Sequence, residues 1–366
     1  MVEDTQNNMS ELDFIEAKNR GFSSARDFFS YIDDVSALDS FNGNTNIVAS
    51  INNYGGRSQF FNSLDSQFEI LWSNDDLRLM VANTAGKTIP YYVYYDDHFP
   101  VFLTTANITD EMPPTIERFL RSDRQLGRFW MSMEQMDKLR LQMSRKYSGL
   151  VIPFFTAKYT QHSGQESQRR ADISRTISYW GDDGKESYKE MRGKYGVGPT
   201  NIRFSRPGHF KFGVKSEGVF THMDGPVGEI WELLESEKKR KQQVKSVINS
   251  GGTGQSSSRV FEETKVSASE PWAVKLNNEI GDRDLNEFKS RVEDEKWEFD
   301  LSEYRTNTHS FEAEVVDKIS YGRTEMIGSG GRIRIFPIDG NDIDPQIRTY
   351  NLVQDHFDSD CSPEVV

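Results

Sequence analysis

The residues best suited to chemistry lie in RFSRPGHFKFGVKSEGVF, residues 203–220, where five basic side chains are interleaved with aromatic ones. In a strand, successive side chains point to opposite faces, which places His209 and Lys211 on one face and Phe210 and Phe212 on the other. We therefore expect an exposed basic face over a buried aromatic one. A row of cations on a sheet can contact successive phosphates of a nucleic acid. An ordinary edge strand protected by lysine is the alternative interpretation.

Charge is distributed unevenly along the 366 residues, whose formal net charge is −13. Residues 1–137 carry 10 Lys and Arg against 21 Asp and Glu, residues 138–215 carry 16 against 6, and residues 216–366 carry 18 against 30. The middle segment therefore has a net charge of +10 between two acidic arms. A basic segment in an acidic chain indicates a phosphate-bearing or acidic partner, and the arms would repel phosphate elsewhere.

The residues that we expect to contact phosphate are the cations in and around the basic segment. The first set is Arg169, Arg170, Arg203, Arg206, His209, Lys211 and Lys215. A second set is Arg140, Arg145, Lys146 and the basic run 238–241. Tyr179 and Trp180 are expected in the core, although exposed rings at these positions would stack on bases.

His209-x-Lys211 also resembles half of the active site of the phospholipase D superfamily. In that family a histidine nucleophile and a lysine share a strand, an acid, a glycine–serine pair and an asparagine follow, and two such halves form one site. The resemblance implies a phosphodiesterase in which His209 and Lys211 are catalytic. An earlier segment, DDHFPVFLTTANIT, has Asp97 and Asn107 near the corresponding spacing.

The sequence departs from that pattern in both halves. Pro90 and Tyr92 stand where the first half needs its histidine and lysine. Ser216 stands at the position of the acid in the second half, with Glu217 one residue later, and VFTHMDG replaces the glycine–serine strand. Neither half is complete, so phosphodiesterase or nuclease activity is kept as an alternative to binding without catalysis.

Several other kinds of site have no support in the sequence. The single cysteine, Cys361, excludes an internal disulfide and a cysteine-based metal cluster, and none of the six histidines forms an i, i+4 pair. No glycine-rich phosphate loop is present, so we expect neither a metal nor a cofactor. No stretch approaches the roughly 20 apolar residues of a membrane helix, and the acidic N-terminus lacks the features of a secretory signal. The expected location is the cytoplasm, without a membrane partner.

The pattern of elements predicts an α+β fold made of two or three small mixed sheet/helix units plus N-terminal helices. The predicted segments are an N-terminal helical segment 1–45, a first α/β unit 46–160, a second, basic α/β unit 171–248, a flexible linker 249–258 and a C-terminal α/β unit with an acidic tail 259–366. Within a long helix that begins near Pro226, EKKRKQQ contains no apolar residue and is expected in solvent. The tail DSDCSPEVV is expected to be loose.

Two segments share one order of elements, which suggests an internal duplication. Residues 91–122 and 212–236 each read as strand, polar turn, strand, loop with proline and helix, and their helices align as IERFLRS and IWELLES. The alternative is that a common supersecondary arrangement occurs twice by coincidence.

The sequence favours a protein without a catalytic centre that contacts a nucleic-acid backbone through residues 138–215. A phosphodiesterase with a degenerate His-x-Lys site is the first alternative. The second is an assembly component, in which the basic segment meets an acidic protein partner or the acidic arms of a second copy.

Overall fold

The chain forms two compact units, each assembled from separate stretches of sequence. The first takes its residues from 1–129, 141–154 and 201–238, and the second from 130–140, 155–200 and 239–366. Helices and antiparallel sheets are mixed in the chain, which confirms the predicted α+β class. The predicted domain boundaries remain a prediction. The computed structural model describes residues 22, 24–36, 44–74, 76–84, 87–159, 175–251, 271–294, 298–339 and 342–366.

The first unit is a sheet with helices on both faces. The elements of the first unit, shared ones included, are α1 (Ala25–Ser36), β1 (Thr45–Asn52), α2 (Arg57–Asp65), β2 (Glu69–Asn74), β3 (Leu77–Thr84), β4 (Lys87–Tyr94), β5 (Val101–Thr104), a π-helical turn (Pro113–Glu117), α3 (Arg118–Ser122), β6 (Leu126–Arg128), α4 (Met133–Lys146), β7 (Val151–Tyr159), β9 (Val197–Arg206), β10 (Phe210–Lys215), β11 (Val219–Asp224) and α6 (Gly228–Gly251). The strands of this unit lie in the order β2-β3-β4-β5-β1-β11-β10-β9-β7, with β6 paired to β1. Two helices, α4 and α6, and two strands, β7 and β9, contribute residues to both units.

Strand β1 is the centre of this sheet, and every one of its residues is buried. It pairs antiparallel with β5 on one side and with β11 on the other. Apolar side chains of α2 and α3, such as Phe60 and Phe119, pack on one face of the sheet with Phe102. On the other face, Phe28 of α1 stacks on Tyr94. Because both faces are covered, NIVASIN shows no alternation, and no strand was predicted at this position.

The hairpins β4–β5 and β10–β11 flank β1 on its two sides. Each hairpin is followed by a helical segment, the π-helical turn with α3 in one case and α6 in the other. This is the order of elements that suggested an internal duplication. The duplication itself remains a hypothesis.

The prediction that EKKRKQQ stands in solvent holds for only part of this segment of α6. Glu237, Lys238 and Lys241 are buried, and the other four residues are exposed. In the first unit, Lys238 is 5% exposed, with its Nζ 2.7 Å from Asp96 Oδ2 and over the ring of Trp231. In the second unit, Lys241 is fully buried and donates a hydrogen bond to Asn351 Oδ1 at 3.0 Å. Hydrogen-bonding partners distant in sequence make the burial of these ammonium groups tolerable.

The second unit contains a six-stranded antiparallel sheet and further helices. Its elements beyond the shared ones are β8 (Thr176–Trp180), α5 (Gly184–Tyr195), β12 (Trp272–Lys275), α7 (Asp282–Asp294), β13 (Phe299–Asn307), β14 (Ser310–Asp317), β15 (Arg323–Ser329), β16 (Arg332–Pro337), α8 (Ile343–His356) and β17 (Ser362–Val365). The strands of the sheet lie in the order β13-β14-β15-β16-β12-β17. Phe288 of α7 and Phe357, the residue that follows α8, pack their rings with Phe311 of the sheet. None of the helices in the described ranges is long and apolar enough to cross a membrane.

The C-terminal segment is not the loose tail that its composition predicted. Strand β17 pairs antiparallel with β12, placing Trp272 opposite Val365. The preceding Cys361 is only 6% exposed, and its carbonyl oxygen accepts a hydrogen bond from the Tyr350 hydroxyl at 2.9 Å. A proline within a strand favours a position at the edge of the sheet, which is the position that β17 occupies.

Cys361 is expected to be unreactive in the folded protein. Burial raises the pKa of its thiol to about 12, and only the thiolate attacks an alkylating reagent. We expect iodoacetamide at neutral to mildly alkaline pH to modify Cys361 at least about 100-fold more slowly in native protein than in urea. Mass spectrometry of timed samples measures both rates, and similar rates would contradict the buried position.

Candidate nucleic-acid interface

The β9–β10 hairpin carries the basic stretch singled out in the sequence. Its strands are joined by a short turn in which Gly208 has φ 74°. The register places Lys211 opposite Ser205, Gly213 opposite Arg203 and Lys215 opposite Asn201. Side chains of directly opposed residues share a face of the sheet. This register therefore decides which of the basic residues lie together.

Three cations, Arg203, Lys211 and Lys215, share one face of this hairpin, here called the basic strand face. Lys211 is exposed, and Arg203 and Lys215 are half-buried. The four-residue separation of Lys211 and Lys215 along β10 corresponds to about 13 Å, and Arg203 lies between them on the neighbouring strand. Phe204, Phe210 and Phe212 are buried. The predicted alternation of an exposed basic face with a buried aromatic one is confirmed.

Lys211 and Lys215 form no ion pair with any residue that the structure describes. The guanidinium of Arg203 lies over the ring of Phe154 on β7, 5.0 Å from its centroid. This packing holds the Arg203 side chain against the sheet. Asn201 and Ser205 add polar side chains to the same face. The result is a cluster of three cations with hydrogen-bonding neighbours, and one exposed carboxylate, Asp224 on β11, lies opposite Lys211.

Arg206 does not belong to the basic strand face, contrary to the expectation that it supports the same row of cations. It lies opposite Phe210, and its guanidinium sits 5.6 Å from the ring centroid of Tyr147. That ring also packs edge-on against Phe210. Arg206 is three residues from Arg203, and an odd spacing along a strand reverses the face. The sequence contained this signal.

Acidic residues dominate the surroundings of Tyr147. Its hydroxyl donates a hydrogen bond to Glu229, and burial together with that bond raises the pKa of Tyr147. Lys146 Nζ lies 2.6 Å from Glu232 Oε2 and 3.1 Å from Glu229 Oε2. Burial alone would lower the pKa of Lys146, but its hydrogen bonds, first of all to Glu232, raise it. Lys146 is thus engaged within the protein.

The remaining predicted cations fall into three groups. His209 is exposed in the turn before β10, and Arg145 is exposed on α4. Arg140 is buried, with its Nε donating to Asp137 Oδ1 at 2.7 Å, so it offers nothing to a ligand. Of the basic run 238–241, Lys238 and Lys241 are buried as described above, and Lys239 and Arg240 are exposed. Arg169 and Arg170 lie outside the described residues.

The aromatic pair on β8 behaves differently at its two positions. Tyr179 is half-buried, stacks on Phe155 with ring centroids 5.3 Å apart, and donates to Asp183. Trp180 is 65% exposed, so its predicted place in the core is wrong. Alternation along β8 explains this result, because the face opposite Tyr179 carries exposed Thr176 and Ser178.

The residues that carry the phospholipase D resemblance have separate local roles in the structure. Asn107 Oδ1 accepts the backbone N–H of Thr109 and of Asp110, which makes it a turn-forming side chain. Asp97 is exposed in the β4–β5 connection. Across the described ranges, no group of three or more His, Cys, Asp or Glu side chains is arranged to hold a metal ion. The catalytic hypothesis for His209 and Lys211 remains a prediction.

A row of carboxylates in the second unit was missed by the sequence analysis. Glu303, Glu314 and Glu325 lie directly opposite one another on β13, β14 and β15. Like charges in directly opposed positions repel each other and are destabilising. The sequence shows each glutamate as an ordinary exposed strand residue, and only the register reveals the row. Two of the three carboxylates have a cationic partner, Arg305 for Glu303 and Arg323 for Glu314.

Comparison with known proteins places the basic segment within a matched region. Residues 134–217 match the family model AF_0896_M, described as a family middle domain. The chain is also similar to an uncharacterized protein of Archaeoglobus fulgidus, with 22% identity over 350 residues that cover 92% of this chain and 95% of the relative. The matched middle region contains the whole of the +10 segment 138–215.

Proposed function

We propose that this protein binds a nucleic-acid backbone, without catalysing a reaction on it, through the basic strand face. The observation that carries the proposal is the pair Lys211 and Lys215, which share a sheet face with Arg203 and form no ion pair among the described residues. A protein of net charge −13 has abundant carboxylates to neutralise its cations. Leaving two lysines unneutralised on one face favours an external anion.

The geometry supports phosphate contacts rather than base recognition. The cations are spread over about 13 Å, which corresponds to roughly four base-pair steps of 3.4 Å along the axis of a DNA duplex. Lysine and arginine contacts to phosphate position a nucleic acid without reading its sequence.

The test is fluorescence anisotropy with labelled single- and double-stranded DNA and RNA between about 50 and 300 mM salt. For the wild type we expect log K to fall linearly with log salt. The variant Arg203→Gln/Lys211→Gln/Lys215→Gln should lower the magnitude of that slope by about 2 to 3, since each duplex phosphate contact contributes about 0.9. At the lowest salt its affinity should fall at least about tenfold.

A matched control removes the same charge elsewhere. Lys185→Gln/Lys189→Gln/Arg206→Gln changes two exposed residues of α5 and the arginine on the opposite side of the hairpin. This control should retain most of the affinity and nearly all of the slope. Equal losses in the two variants would contradict a localised site, because overall charge would then account for binding. No binding at the lowest salt would contradict the function itself.

The same samples distinguish the two alternatives. A cleaved product on a gel that disappears with His209→Ala would favour the phosphodiesterase. Salt-sensitive self-association in the absence of nucleic acid would favour an assembly component in which the acidic row of one copy meets the basic strand face of another. We further propose a cytoplasmic location, which the single buried cysteine supports.

A further inference from the structure

The six-stranded sheet of the second unit has one covered and one open face. Phe311, Ile333 and Ile335 are buried on the covered face, where Phe288 of α7 packs against Phe311. Side chains alternate along β14 and β16, and the residues between these buried ones are exposed or half-buried. The face that carries them is here called the open face.

The charges of the open face are separated into an acidic side and a basic side. The acidic side lies on β13, β14 and β15, and its glutamates are Glu303, Glu312, Glu314 and Glu325. A groove of about 200 Å³ lies between these glutamates and has room for a cationic side chain. The basic side lies on β16 and β12, and its exposed cations are Arg332, Arg334 and Lys275.

Ion pairs within the chain neutralise only part of this charge. The three pairs on the open face are Glu303–Arg305, Glu314–Arg323 and Glu364–Arg332. Four charged side chains of this face form no ion pair with any described residue, and they are Glu312, Glu325, Lys275 and Arg334. Two carboxylates on one side and two cations on the other are thus left over. Such a face is complementary in charge to a second copy of itself.

We propose that the open face is the interface of a homodimer, in which the acidic side of one copy lies on the basic side of the other. A two-fold axis parallel to the strands, between β15 and β16, exchanges the two sides. It places β15 over β16 of the second copy and β14 over β12. Glu325 then comes within about 7 Å along the strand of Arg334 in the second copy, and Glu312 within the same distance of Lys275. Arginine and lysine side chains are long enough to span this offset.

The centre of the proposed interface is apolar. Ile327 on β15 and Phe336 on β16 are half-buried on the open face, next to the two-fold axis. The unpaired charges lie around them. An apolar centre with a charged rim is the usual arrangement of a protein–protein interface.

The size of the face suits a reversible dimer. Its six strands, spaced about 4.8 Å apart and about six residues long on average, make an area of roughly 600 Å². Covering this face in two copies removes about 1,200 Å² from water, which is the lower end of specific interfaces. All of these residues belong to the second unit, so the inference does not depend on nucleic-acid binding by the basic strand face.

The test is analytical ultracentrifugation of the full-length protein between about 1 and 100 μM, in 50 and 500 mM salt. We expect a monomer–dimer equilibrium with a micromolar dissociation constant that rises at least about tenfold in the higher salt. Lys275→Glu/Arg334→Glu and Glu312→Lys/Glu325→Lys should each raise it at least about 100-fold, because like charges then meet. An equimolar mixture of the two variants should form heterodimers, because every altered contact again joins opposite charges.

The matched control makes the same change of charge on the basic strand face. Lys211→Glu/Lys215→Glu should dimerise like the wild type, whereas equal losses in this variant would overturn the assignment to the open face. A wild type that is monomeric at 100 μM overturns the proposal. Variants with reversed charges that stay dimeric overturn it as well, and so does a mixture of the two variants that stays monomeric while circular dichroism shows both to be folded.

Discussion

Replacing Arg348 with methionine is expected to lower the free energy of unfolding by about 3–5 kcal/mol, the largest effect of any single change that the structure identifies. Arg348 is 3% exposed in α8. Its Nε donates to Asp317 Oδ2 at 2.6 Å, and its Nη2 lies 3.6 Å from Glu298 Oε2. Methionine preserves the length of the side chain but leaves the buried carboxylate of Asp317 without its cation, whereas Glu298, whose side chain is 29% exposed, still pairs with Lys158.

The environment of Arg348 is built to keep it charged. Burial alone would lower its pKa, but the carboxylates of Asp317 and Glu298 raise it. The guanidinium also lies 4.2 Å from the ring centroid of Trp130, whose indole N–H donates to Asp344 at 2.9 Å. Asp317 accepts further hydrogen bonds from the backbone of Ile319 and Ser320. Removing one cation therefore disturbs a connected group of residues.

Urea unfolding followed by circular dichroism measures the effect. The control is Arg323→Met, which removes a bidentate pair with Asp339 on a side chain that is 49% exposed. Exposed pairs contribute about 0–1 kcal/mol, so this variant should unfold near the wild type. A loss below about 1 kcal/mol for Arg348→Met would show that the buried carboxylate of Asp317 is neutral or reaches water.

Gly225→Ala is expected to cost about 2–5 kcal/mol, the sum of a strained backbone and a steric clash. Gly225 has φ +80°, a conformation that L side chains rarely adopt. A Cβ there would lie 2.1 Å from the carbonyl oxygen of His209 and 2.7 Å from the Cα of Phe210. Both obstacles are backbone atoms, so the start of β10 must move.

Gly208→Ala is the matched control, because Gly208, in the turn between β9 and β10, has φ +74° but nothing within 4 Å of an added Cβ. It should cost only the conformational part, about 1–2 kcal/mol. Thermal and urea unfolding of the two variants measure the difference between them. If nucleic acid binds at the basic strand face, folded Gly225→Ala should also bind more weakly, because Lys211 directly follows the displaced backbone of Phe210. Equal stability of the two variants would contradict the close approach.

Much of the basic strand face could be predicted from sequence, because alternation over residues 209–215 is a local property. One face is covered and the other open, so polar and aromatic residues sort by a period of two. The same rule places Arg203 and Arg206, which are three residues apart, on opposite faces of the sheet. The local pattern was sufficient there, and the error arose from grouping residues by proximity in sequence.

The features that could not be predicted depend on partners far along the chain. The burial of Lys238 and Lys241 requires Asp96 and Asn351, which no local pattern connects to α6. The row of glutamates in the second unit depends on strand register. Periodicity describes which face is covered, and it does not identify the side chains that cover it.

The position of β1 also has a consequence for how the chain is made. Its residue 45 pairs with residue 222, and its two neighbours in the sheet, β5 and β11, lie more than 100 residues apart in sequence. During synthesis the edge of β1 that receives β11 stays open until most of the polypeptide has emerged. Such long-range pairing slows folding and leaves an apolar strand open to association with other nascent chains. A stalled ribosomal product ending before residue 219 would carry that edge without its cover.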